Sequence, residues 1–138
     1  MCIRDRATAL RDDLEEANRN DFDVVAFTHL DNDHLCGSSK FFYLEHAKKY
    51  QDDKRARIQV LWVPAAALVE EALEDEAKII QEEARYRLRR KQGVRVFSRP
   101  ERLRTWIQDQ GLKFDEVKHL FTDAGQVAPC LLYTSRCV

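Results

Sequence analysis

The sequence predicts an α/β fold, and three observations carry that prediction. Short apolar runs at 22–28 (FDVVAFT), 58–63 (IQVLWV) and 94–98 (VRVFS), with a weaker one at 117–122 (VKHLFT), have the length and the β-branched and aromatic content of buried strands. Between them lie segments whose apolar residues recur at helical spacing. The two kinds alternate in the order α-β-α-β-α-β-α-β, which implies a sheet covered by helices.

Taken in order, residues 7–20 read as an amphipathic helix with Leu10, Leu14 and Ala17 at three-to-four spacing. The first strand, 22–28, runs into a polar loop at 29–37. Ser38 or Ser39 is a natural N-cap for a helix reaching about Tyr50 and carrying Phe41, Phe42 and Leu44. QDDKRAR is a polar connector to the second strand, which Pro64 stops. A long charged helix is expected over about 66–92, closed by Gly93. The third strand is followed by Pro100 at the first turn of a helix to about Gln110, with Leu103, Trp106 and Ile107 on one face. Gly111 ends it, the fourth strand follows, and DAGQ (123–126) turns the chain. No internal repeat or low-complexity linker is visible.

The two ends stand apart from this pattern. Residues 1–6 (MCIRDR) and 130–138 (CLLYTSRCV) correspond to the two orientations of one short DNA word used to tag sequencing libraries, so they are expected to be artefactual. Residues 7–129 then form the natural stretch, part of a larger domain. Three of the four cysteines (Cys2, Cys130, Cys137) fall in the ends, leaving Cys36 as a small packed side chain. No disulfide framework is expected, and a single thiol fits a reducing, cytoplasmic compartment. Setting the ends aside leaves 20 basic and 23 acidic residues, a net charge of −3 that neither requires nor excludes an anionic partner. No apolar stretch approaches membrane-spanning length.

The chemistry is concentrated in THLDNDHLCG (28–37). His29, Asp31, Asp33 and His34 place four metal-capable side chains within six residues, directly after a buried strand. Residues two apart on extended backbone point the same way, so His29 and Asp31 can face one ion. A tighter turn after Asn32 lets Asp33 and His34 face a second. Two ions roughly 3.5–4 Å apart suit hydrolysis, because they activate water and polarise the bond under attack. Gly37 lets the backbone turn sharply before the next helix.

This run resembles the His-x-His-x-Asp-His motif of the metallo-β-lactamase family, which ends a strand and is followed by Gly and a helix. Asp31 stands where most members have His, and in that respect the run is similar to the ComEC-like metallohydrolase branch of DNA-uptake proteins. The DAGQ turn also looks like one that precedes a further ligand strand in that branch. The resemblance implies the N-terminal portion of an αββα sandwich, with His29 and Asp31 serving one metal and Asp33 and His34 the other. It implies Zn2+, with Mn2+ or Fe2+ as alternatives because a carboxylate in place of an imidazole hardens the site. Asp33 would also orient or deprotonate the attacking water. The family draws a further His, Asp and His from downstream; here only His46 and His119 lie outside the motif, and neither sits in a matching context. A fragment cut just past Pro129, holding half a metal site and no activity of its own, is therefore expected.

The substrate class stays open between a small molecule and a nucleic acid. Residues 85–104 hold nine basic residues and one acid, which would track phosphates or, in the plainer reading, form a solvated helix face paired with the acidic stretch 70–83. Trp62 and Trp106 read as core, and His46 and His119 as structural or surface residues. The competing function is a non-catalytic binding or assembly module that kept the scaffold and lost its metals, with the charged helix as its working surface.

Overall fold

The computed structural model describes residues 3–31, 35–97 and 101–122. It is α/β, as the alternation predicts. Helix α1 (Ile3–Glu16) leads into β1 (Asp21–Ala26), and a one-turn helix α2 (Ser38–Phe41) follows the motif loop. Next come β2 (Arg57–Pro64), α3 (Ala66–Val69), α4 (Asp75–Arg89) and β3 (Val94–Phe97). Helices α5 (Glu101–Asp109) and α6 (Phe114–Val117) precede the two-residue β4 (Phe121–Thr122). Ile3, inside the stretch set aside as artefactual, opens α1 and is buried in the core.

The four strands form one sheet in the order β1-β2-β3-β4, parallel throughout. Val25 pairs with Leu61, Leu61 with Val94, and Val96 with Phe121. Parallel neighbours need crossovers, and right-handed crossovers between adjacent strands put every connecting helix on the same face. The helices touch one another in series: α1 touches α2, α2 touches α4, α4 touches α3, and α3 touches α5. Val25, Leu61, Val63, Val94 and Val96 are essentially inaccessible. The alternate positions are mixed: Val24, Val60, Trp62 and Phe97 are half-buried, Phe22, Ala26 and Ile58 are buried, and Arg95 is exposed.

Four expectations need correction. The helix expected from Ser38 to about Tyr50 lasts one turn. Phe42 turns extended and bridges to Ala56, with the Tyr43 N–H on the Ala56 carbonyl at 2.8 Å, because burying Phe41 and Phe42 against Phe22 and Phe27 outweighs helix propensity. Only a 3-10 turn, Lys48–Tyr50, remains of its second half. The long helix over 66–92 is broken into α3 and α4. Arg85 donates to the Leu68 carbonyl and Gln81 to the Glu70 carbonyl, so side chains of α4 satisfy the last carbonyls of α3 and stabilise the break. Most of the expected strand 117–122 is helical, with α6 and a 3-10 turn (Lys118–Leu120) leaving two residues to pair with β3. Finally, Trp62 and Trp106 are half-buried rather than core; Arg85 lies over the Trp106 ring, 5.1 Å from its centroid.

Candidate metal centre and a buried ion network

Strand β1 delivers the motif to the carboxyl end of the sheet. The Phe27 N–H still bonds the Trp62 carbonyl at 2.9 Å, so the chain stays tied to β2 one residue past the strand. Beyond it Thr28, His29 and Asp31 are exposed, whereas Leu30 between the last two packs partly against the core. An inward residue flanked by two outward ones is the arrangement that lets His29 and Asp31 serve a common partner. The Thr28 hydroxyl lies 2.9 Å from His29 Nδ1. With the proton on Nδ1 and donated to Thr28, the lone pair sits on Nε2, the tautomer that coordination through Nε2 requires. Thr28 and His29 are thus within hydrogen-bond distance of each other at the strand's end.

Asp33 and His34 lie outside the described residues. Among the described residues, no group of three or more His, Cys, Asp or Glu side chains could hold a metal ion. The limbs on either side are well placed. The Leu35 N–H closes onto the Asp31 carbonyl at 3.2 Å, and the Leu35 side chain is fully buried. Gly37 takes φ 86°, a left-handed conformation that suits glycine, and so turns the chain into α2 as its sequence position predicts. Neither Ser38 nor Ser39 caps that helix. Ser38 is its buried first residue, and the N–H groups of Gly37 and Ser39 are taken by Glu76 from α4. Cys36 is half-buried and disulfide-bonded, contrary to the expected unpaired thiol; its partner lies outside the described residues.

A second polar cluster sits at the opposite, amino end of the sheet, and sequence reading missed it. Arg87, 1% exposed, donates to the carbonyls of Ile58 (3.0 Å), Gln59 (3.3 Å) and Gly93 (2.8 Å), where β2 begins and β3 is about to. Glu83, one turn earlier and fully buried, accepts the Glu45 N–H at 2.8 Å and the His46 N–H at 3.1 Å. Its carboxylate lies 3.6 Å from Arg87 Nε and 3.5 Å from His46 Nδ1, while Glu82 lies 3.5 Å from His46 Nε2. Burial alone would push the Glu83 carboxyl up. The His46 ring, the Arg87 guanidinium and the Glu45 N–H outweigh it and hold the carboxyl below the usual range. Glu45 also pairs with Arg90 at 2.7 Å. His46 is thus structural, as expected, and His119 is an exposed residue near the Lys91 carbonyl.

The basic stretch is accordingly not one solvated face. Arg87 is internal and Arg85 half-buried, and Arg90 and Lys91 are paired with Glu45 and Glu116. No helix among the described residues is long and apolar enough to cross a membrane. No family model, no curated protein and no solved structure matches the chain.

Proposed function

We propose that this chain is the front portion of a metallo-β-lactamase-like, metal-dependent hydrolase of the ComEC-like branch. The observation that carries the reading is the placement of His29 and Asp31, the first two candidate ligands of the His29-x-Asp31-x-Asp33-His34 run, just past the carboxyl end of a parallel strand. Open α/β sheets bind their ligands in that position. The exposed His29 and Asp31, flanking the inward Leu30, fit the nitrogen-plus-carboxylate donor set of a catalytic zinc site.

In this reading His29 and Asp31 hold one ion, and Asp33 and His34 the other, as Zn2+ or alternatively Mn2+ or Fe2+. The ions supply Lewis acidity, making water acidic enough to attack near neutral pH and drawing off negative charge that develops on the substrate. Thr28 fixes the His29 ring, and Asp33 takes or orients the water proton. A phosphodiester or related ester is the substrate class that the ComEC-like Asp31 favours.

The test is metal analysis of an intact parent protein purified without chelator, beside its His34→Ala variant. About two equivalents in the first and a clear loss in the second are expected. Equal metal content in both would defeat the proposal and leave a binding or assembly module on the same scaffold. Hydrolysis of a chromogenic phosphodiester, lost in Asp33→Ala, tests the substrate class separately.

A further inference from the structure

Glu76, in the first turn of α4, reaches across to the limb that returns from the metal motif. Its Oε1 accepts the Gly37 N–H at 3.2 Å and the Ser39 hydroxyl at 2.9 Å, and its Oε2 accepts the Ser39 N–H at 3.1 Å. Helix α2 is a single turn with no side-chain cap of its own, so these leading N–H groups have no partner within it. Three donors converging on one half-buried carboxylate make a strong, charge-assisted set. The limb they hold is continuous with the motif. Leu35 is locked in the core, and its N–H is bonded to the Asp31 carbonyl at 3.2 Å. The backbone of Asp31 is therefore tied through Leu35 and Gly37 to a side chain on a different helix.

We propose that Glu76 is a positioning residue for the metal site. It sets the backbone that presents His29 and Asp31 by anchoring the returning limb, without touching the metal itself. This rests on the metal-hydrolase reading above. The residues supplying the anchor, Glu76 and Ser39, are 37 apart in sequence, so the loop's geometry depends on the docking of α4 onto α2. Loss of the anchor is expected to act on metal affinity by roughly 10-fold, the low end of what loss of a partner bonded to a ligand itself costs, because Glu76 holds the limb and not a ligand.

The experiment titrates Co2+ into the metal-free intact parent protein, following its visible absorption, and repeats the titration with Zn2+ in competition. Glu76→Gln is the decisive variant. Its amide NH2 would face an N–H donor, so it keeps the size of the side chain while losing at least one backbone bond. Glu76→Gln and Glu76→Ala are expected to weaken binding to that extent and to shift the Co2+ absorption. Ser39→Ala keeps both backbone bonds and should change affinity by no more than about threefold. Circular dichroism of the metal-free variants checks folding, and if Glu76→Ala unfolds, the Gln variant decides alone. Glu76→Gln that melts lower but binds Co2+ like the wild type, with an unchanged spectrum, would overturn the positioning role and leave the metal site standing. A wild-type parent protein that binds no Co2+ or Zn2+ would overturn the metal reading and the role of Glu76 with it.

Discussion

The two ends of the sheet treat charge in opposite ways. At the amino end Glu83 and Arg87 are buried among partners drawn from α4, from the starts of β2 and β3 and from the 43–50 segment, with Arg87 Nε held by charge alone, 3.6 Å from Glu83. At the carboxyl end His29 and Asp31 stand exposed on a backbone whose anchors are Leu35 and Glu76. Buried charge holds elements together because removing one partner strands the other. Exposed charge on a fixed backbone costs the fold little and remains accessible to an outside partner. The difference separates a structural network from a candidate reactive one, even though both are made of the same residue types.

The comparison can be broken most directly at Glu83. Glu83→Ala leaves Arg87 and the N–H groups of Glu45 and His46 short of their acceptor, and a loss of ~3–5 kcal/mol in urea unfolding is expected. A loss below ~1 kcal/mol would show that the amino-end network is no keystone.

The pH dependence sharpens the same point. Because the Glu83 carboxyl is held low in the folded state, its contribution is present above the unfolded glutamate value, about 4.3. It is lost as pH falls through the lower folded value. Thermal melting should therefore drop steeply below that pH in the wild type, and less steeply in Glu83→Gln, whose side chain carries no proton to gain.

A smaller effect is expected at Gly93, whose φ is +77° and whose carbonyl accepts Arg87. An added Cβ would lie 3.3 Å from Arg87 Nη1, so Gly93→Ala combines left-handed strain with pressure on the guanidinium. A cost of ~1–2 kcal/mol by denaturant titration is the expected outcome. Smallest of all should be Asp31→Ala, within about 0.5 kcal/mol of the wild type in the metal-free chain. A large loss there would erase the contrast between the ends.

How much of this was legible in the sequence depended on the range of the interactions involved. The first three strands were, because runs such as IQVLWV report their own burial, and so was the turn at Gly37. The break between α3 and α4 was not, since Arg85 and Gln81 stabilise it from across a helix pair. Phe42 was assigned to a helix because its pull toward Phe22 and Phe27 is tertiary. The four-residue motif declared itself by local spacing, whereas Glu76 and Glu83 looked like two of seven acids on a charged helix. One available signal was period: Glu76, Glu83 and Arg87 are seven and four apart, on the same side of α4 as the buried Ile80 and Ala84.

The sequential strand order has a consequence for how the molecule comes to be made. Each strand pairs with the one before it, so no contact within the sheet waits for a distant part of the polypeptide. Assembly can proceed by accretion from the N-terminus during synthesis, each new βα unit settling on a finished template. The limb that returns from His29 and Asp31 would then gain its last anchor only when α4 emerges and offers Glu76 to the Gly37 and Ser39 N–H groups, after the midpoint of translation rather than at its start.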